Sequence, residues 1–429
     1  MKKKELKRNF FEFMGFLAGF ICLIPDLCYS EIYLRQLNPD DVITLVKDEN
    51  FGADHKIWTD KDPWAKYPSS GGDYANVIIG IMESLSYLKS PAAKAEYKWL
   101  SRNLAGHAEP ALPNLTPQIF IHTYLRFCDI LGKALTMYQN DEGPLRVRYV
   151  QDRITNEFLF FQTPGTQNPT LKLSKRDQRN LTHAQKKQLL NRLMAKAKGK
   201  TEFTGYYEPI YEGRRNKNNQ FNTRFCLQSS LECALGEPTL NPTALDTVWF
   251  QKPKIAQDVR MQGSAVIVLE NGKRVSLEYV NRGKFKPVPF SPATGFSNIN
   301  VVPRRSVATN KFRRGNPYPI FPPGGLALGH IRVGETGNIE LDFSSSAFFD
   351  QDSGGGIDYP FEVDINWGRG DPQKDPAYEN ALRTEFYGQF YYLFPTNVWE
   401  IDPDQEIKDT SVCDNLLAEG LMPKQRHKH

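Results

Sequence analysis

The sequence predicts a mainly β protein preceded by a helix-rich N-terminal region, and three observations carry that prediction. From Glu202 onward the text turns to short β-rich runs broken by Gly and Pro. Asn271-Gly272 separates Ser264–Glu270 from Arg274–Tyr279, a hairpin signal because Asn-Gly suits a type I′ turn. Phe361, Val363, Ile365 and Trp367 alternate with Glu362, Asp364 and Asn366, the period of a half-buried strand. Before residue 150 the period is helical instead.

Ala75–Leu88 has helical apolar spacing, and Pro91–Leu104 continues as a second helix. Thr116-Pro117 supplies an N-cap and a Pro at the first helical position for a helix to Met137, with Phe120, Tyr124, Phe127, Ile130, Leu131 and Leu135 as its apolar stripe. Thr182–Lys198 reads as a further helix. Phe285–Asn298, rich in Pro, Ser and Gly, reads as a linker, and Val301–Trp367 as strands and tight turns. Glu385–Phe394, dense in Phe and Tyr, reads as a buried strand, and the text after Thr396 as a weakly structured tail.

Length and composition bound the function. The 429 residues suggest about two or three domains, and 40% hydrophobic against 24% charged residues suffices for a sizeable core. Lys2, Lys3, Lys4, Lys7 and Arg8 precede an apolar run, Phe13–Ile24, that is too short to span a bilayer, which needs about 20 residues. Cys28-Tyr29-Ser30 then offers small residues at the cleavage positions before Glu31. Residues 1–30 are thus expected to be a secretory signal peptide, with an uncleaved anchor as the alternative. Removing them takes the formal charge from +5 to +3, too mild to argue for nucleic acid. Of the cysteines outside that segment, Cys226 and Cys233 are near enough for a bridge in an oxidising compartment. Buried free thiols are the equal alternative, and the spacings fit no zinc pattern.

The chemistry centres on Gln351–Asp371. Three glycines, Gly354 to Gly356, free the backbone for a turn, and Asp364 then leaves the apolar face of the strand beside Asn366. A carboxyl group at the wall of a cleft, against apolar surface, is suited to acid catalysis; a solvated strand face is the alternative. Asp352, Asp358, Glu362 and Asp364 do not match the EF-hand spacing, so no metal is expected, and no cofactor. Asp352-Ser353-Gly354 occurs once, so an aspartic protease would require a dimer to supply its second carboxyl. Glycosidic cleavage fits better, with Tyr206, Tyr207, Tyr211, Trp249 and Trp367 as candidate sugar-stacking rings.

Four segments, in order, resemble the membrane-bound lytic murein transglycosylase A family: Phe203–Pro209, Gln262-Gly263-Ser264, Ser306–Thr309 leading to Phe321–Gly324, and Gln351–Gly355 with Asp364–Gly370. The resemblance covers roughly residues 150 to 395. It implies a double-psi β-barrel built from 151–207 and 299–398, a smaller β domain inserted at 208–298 as the other groove wall, and a flexible tail at 399–429. Residues 31–150 stand outside it. It further implies cleavage of the bond between N-acetylmuramic acid and N-acetylglucosamine in peptidoglycan without water, leaving a 1,6-anhydro end. By position Asp364 matches the catalytic aspartate and Asp352 its neighbour, with Tyr206, Tyr207, Gln262, Gly263, Ser264, Asn366 and Trp367 along the groove. A non-catalytic glycan-binding protein of the same fold is the rival. The expected place is the bacterial cell envelope, in the periplasm, with outer-membrane association left open. The expected partners are peptidoglycan strands, with proteins of cell-wall synthesis or hydrolysis as further candidates. The stretch Arg282–Asn300 is shorter than the family pattern, which puts one groove wall in doubt.

Overall fold

The computed structural model describes residues 34–47, 73–104, 108–109, 112, 115–140, 142–163, 201–212, 262–268, 272, 274–281, 284–310, 321–332, 346–354, 357, 362–370, 381 and 385–421. The signal segment, the helix expected over Thr182–Lys198, the Cys226–Cys233 pair and Trp249 lie outside those residues. The elements run β1 (Leu34–Gln36), α1 (Pro39–Lys47), α2 (Asp73–Leu88), α3 (Pro91–Leu104), β2 (Ala108–Glu109), α4 (Pro117–Gln139), α5 (Gly143–Glu157), β3 (Phe158–Gln162), β4 (Thr201–Glu212), β5 (Ser264–Val268), β6 (Arg274–Asn281), β7 (Lys284–Pro289), β8 (Ser306–Ala308), β9 (Gly325–Arg332), β10 (Ser346–Asp352), β11 (Glu362–Gly370), β12 (Glu385–Pro395) and α6 (Ser411–Leu421).

The strands form one mixed sheet that bends back on itself. Its order includes β12-β9-β10-β8-β11-β4, and β4 pairs again with β12, so these six close a ring. Within it β10–β8 and β11–β4 are parallel and the other pairs antiparallel. Aromatic rings fill it: Phe390 meets Phe203 edge-on at 6.0 Å and Tyr392 at 5.4 Å. Strand β4 is long enough to serve twice. Its first half belongs to the ring, and Ile210–Glu212 pairs with β5, from which β6 and β7 follow. Strands β3, β1 and β2 extend the sheet beyond β12.

The helices share a core with the strands. Val77, Ile78, Ile81, Leu85 and Leu88 of α2, and Phe120, Tyr124, Phe127, Ile130 and Leu131 of the expected stripe of α4, are buried in it, and Leu135 is buried as well. The hydroxyls of Tyr97 and Tyr124 donate to the carbonyls of Pro323 and Gly324, each at 2.7 Å, fixing the turn before β9. Asp350, fully buried, accepts from Thr309 Oγ1 at 2.8 and 2.9 Å and from the Tyr392 hydroxyl. Among the described residues no helix is long and apolar enough to cross a membrane.

Two expectations are corrected. The stretch read as a linker contains β7, paired with β6 from Val275–Pro289 to Asn281–Lys284. Pro287 and Pro289 disguised it, and they are tolerated because β7 is the edge of the sheet among the described residues. The tail read as flexible carries α6, which is cross-linked to α4 by a Cys128–Cys413 disulfide. Among its described side chains Cys413 and Leu416 are buried against the core, and the covalent link supplies what the pattern lacked.

Burial holds the hydroxyls of Tyr97, Tyr124 and Tyr392 well above the ordinary tyrosine value of 10.0, aided at Tyr392 by the charge of Asp350. The unfolded chain releases these protons near that value, whereas the folded chain keeps them. Stability is therefore expected to be full below pH 10.0 and to fall as pH rises beyond it. Denaturant midpoints across an alkaline series check this, and a flat profile would contradict it.

Candidate active site

Strand β8 places the two predicted aspartates. Ala308 is in register with Asp352 of β10 on one side and with Asp364 of β11 on the other. With neighbouring strands about 4.8 Å apart, the two Cα atoms stand roughly 10 Å apart, on either side of a methyl group. A bulge between Asp350 and Asp352 brings Asp352 into that register. On the far side of β11, Thr204 of β4 is opposite Asp364 and Tyr206 opposite Asn366. Directly paired residues project to one face, so Asp352, Ala308, Asp364, Thr204, Asn366 and Tyr206 form a continuous surface.

Hydrogen bonds tie it together. The Tyr206 hydroxyl donates to Asp352 Oδ2 at 2.7 Å, and Asp352 Oδ1 accepts the Ser353 N–H, also at 2.7 Å. The Thr204 hydroxyl donates to Asp364 Oδ1. Both aspartates are half-buried. Burial, the Asp352 charge and the bond to Asp352 together push the Tyr206 hydroxyl well above its usual range, while a bond from Asn366 opposes them, so it remains a donor. The turn after β10 comes close to the acid: a Cβ on Gly354 would stand 3.2 Å from Asp364 Oδ2.

Behind Asp352 the helices grip the strand. The buried Gln351 amide donates to the Gly80 carbonyl at 2.9 Å and to Ser84 Oγ at 2.8 Å of α2, and Gln351 accepts from Ser306 of β8. Residues 290–305, between β7 and β8, form a strap beside the site. A Cβ on Gly295 would lie 2.4 Å from the Gln351 carbonyl oxygen and 2.8 Å from Asp352 Cγ, so only glycine fits there. Ser297, Asn298 and Arg304 hold φ of 54°, 62° and 63°, strained for residues with a side chain. Contacts to α2 and α3 hold this shape: Ser297 donates to Glu96, Asn300 Nδ2 to Glu83 at 3.0 Å, and Asn76 Nδ2 to the Pro303 carbonyl at 3.4 Å.

The other predicted site residues divide. Gln262 Oε1 accepts the Tyr207 N–H at 3.2 Å, Gly263 is exposed at φ 82°, and Ser264 Oγ donates to Glu208 Oε1 at 2.8 Å. That segment therefore adjoins β4 one and two residues beyond Tyr206. Asn366 is buried on the site face and caps the Gly368 N–H at 2.9 Å. Tyr207 and Trp367, expected in the groove, are corrected. Both belong to the core, 3% and 6% exposed, because strand alternation turns them to the opposite face from Tyr206 and Asn366. Trp367 occupies the space over Gly205, where a Cβ would meet its Nε1 at 2.6 Å. Sequence reasoning missed Thr204, Glu208 and Arg369. The period of two had a signal for the first two, since they bracket Tyr206. Nothing local signalled Gly295 or the grip of α2 on Gln351.

Two carboxyl groups flanking Ala308, with a hydroxyl donor on each, form an arrangement that can hold and move a proton. Among the described residues no group of three or more His, Cys, Asp or Glu side chains is arranged to hold a metal.

No protein-family model matches the chain, and no curated protein matches it. Solved structures similar to it are lytic transglycosylases of the MltA type. MltA of Escherichia coli with bound chitohexaose is 17% identical, over 62% of this chain and 84% of that one, with a TM-score of 0.38. The lytic transglycosylase LtgG of Burkholderia pseudomallei is 17% identical, over 65% and 90%, with a TM-score of 0.35. A membrane-bound lytic murein transglycosylase from Agrobacterium tumefaciens is 13% identical, over 59% and 81%, with a TM-score of 0.35.

Proposed function

We propose that the chain is a peptidoglycan lytic transglycosylase that cleaves the bond between N-acetylmuramic acid and N-acetylglucosamine and closes a 1,6-anhydro ring. One observation carries the reading: Asp352 and Asp364, picked out by motif, flank a single alanine on one face, with Tyr206 bonded to one and Thr204 to the other. In this reading the six-stranded ring is the double-psi barrel, and β5, β6 and β7 are the core of the smaller β domain.

Asp364 enters the reaction protonated. It donates to the glycosidic oxygen as the C1–O bond breaks, and the glucosamine leaves with its 4-hydroxyl. Positive charge develops at C1 and the ring oxygen. The Asp364 carboxylate then accepts the proton of the muramic 6-hydroxyl, whose oxygen bonds to C1. Asp364 ends protonated again, and no water is consumed. One carboxyl group suffices because the nucleophile belongs to the substrate, whereas hydrolases use two. Asp352, held by Tyr206 and the Ser353 N–H, opposes loss of the Asp364 proton through like-charge repulsion. Gln262, Gly263, Ser264 and Asn366 line the groove with Tyr206. The Cys128–Cys413 bridge supports an exported, oxidising location such as the periplasm, in line with the signal segment.

Borohydride treatment of the products tests this reading. Anhydro ends carry no free aldehyde and resist reduction, so strands cut by this protein are expected to gain no reducible muramic ends. A rise in such ends would establish hydrolysis and overturn it. A second test addresses the strap. Gly295→Ala is expected to displace Asp352 and lower turnover roughly 10- to 100-fold. The overpacking itself costs about 1–3 kcal/mol of stability. Unchanged turnover would separate Asp352 from the reaction.

A further inference from the structure

The site face continues past the aspartates. Asn366 is in register with Tyr206, and after a shift at Gly368 (φ 95°), Arg369 is in register with Glu208. Glu208 follows Tyr206 by two residues and so shares its face. Arg369 donates to the buried Glu208 carboxylate, and its Nη2 donates to the Ser291 carbonyl at 2.6 Å. The Arg369 guanidinium lies 4.9 Å from the centre of the Phe290 ring, which is 42% exposed. Arg274 of β6 reaches the same ring, its guanidinium at 5.5 Å. Arg274 is exposed, and among the described residues it pairs with no carboxylate. Glu208 neutralises Arg369, so of the two cations at this ring only Arg274 lacks a carboxylate partner among the described residues. Thr204 to Glu208 spans roughly 13 Å of strand, so the Glu208–Arg369 pair stands about that far along the face from Asp364, and Arg274, in register with Val268 and through it with Glu212, lies further out.

We infer that Arg274, positioned by the Phe290 ring, is an anion subsite for a carboxylate carried on the muramyl units of the substrate. The inference rests on the function proposed above. The glycan backbone itself is uncharged. Its carboxylates are those of the stem peptides or, where the peptide has been removed, of the muramic lactyl group. A planar guanidinium at the groove margin suits either, and it would reward peptidoglycan over an uncharged glycan of the same length.

The test compares Arg274→Ala and Arg274→Glu with the wild type in binding to three soluble probes: peptide-bearing strands, amidase-stripped strands and chitohexaose. Arg274→Ala is expected to weaken binding of peptide-bearing strands about 5- to 10-fold more than binding of chitohexaose, and Arg274→Glu to weaken it further. An excess loss that persists on stripped strands identifies the lactyl carboxylate; one confined to peptide-bearing strands identifies the stem peptide. Equal losses on all three probes, or none, would overturn the subsite. If the wild type still releases anhydro products in that case, the proposed function stands without it. Wild-type protein that binds none of the probes would overturn both.

Discussion

Replacing Asp364 by Asn is expected to reduce release of anhydromuropeptides from isolated sacculi by roughly 1,000-fold or more. A positioned general acid or base contributes about 10²–10⁴, and here one side chain fills both roles. The fold should survive, because the amide is nearly isosteric and its oxygen still accepts from the Thr204 hydroxyl. Binding of glycan strands should therefore persist while turnover is lost, which separates a chemical role from a structural one. Chromatography of the soluble products, alongside thermal unfolding, checks both halves. Release at the wild-type rate would remove Asp364 from the mechanism.

The second large effect concerns the covalent link. Cys128→Ser with Cys413→Ser, or treatment with a thiol reductant, is expected to cost about 2–5 kcal/mol and to lower the unfolding midpoint by several degrees. The two cysteines are 285 positions apart, so the bridge closes most of the chain into a loop. Among the described side chains of α6, Cys413 and Leu416 are the buried apolar anchors. Its release loosens α4, whose Tyr124 holds the Gly324 carbonyl and whose Arg126 donates to Asn397 Oδ1 at 2.7 Å. Calorimetry with and without reductant measures this. An unchanged midpoint would show that packing alone fixes α6.

Legibility followed the range of the forces. Elements set by a local period were readable: α2 and α4 through their buried stripes, β11 through alternation, and the β5–β6 hairpin through Asn271-Gly272. The aspartates were readable because a glycine turn and a strand bracket them within a few residues. What failed depended on partners distant in the chain. Strand β7 is intelligible only once its edge position excuses Pro287 and Pro289. Helix α6 is fixed by a cysteine 285 residues away. Tyr207 and Trp367 were assigned by residue type, although their own alternation with Tyr206 and Asn366 already placed them on the other face. The role of the N-terminal helices was the least visible. Gln351 meets Gly80 and Ser84, and Ser297 meets Glu96, across some 200 residues or more of chain, and these contacts set the back of the site.

Mass spectrometry of wild-type digests of purified peptidoglycan tests the central claim most directly. Ring closure by the muramic 6-hydroxyl predicts products about 18 mass units lighter than those of hydrolysis, the mass of one water. Products at the hydrolytic mass, or intact strands, would contradict it.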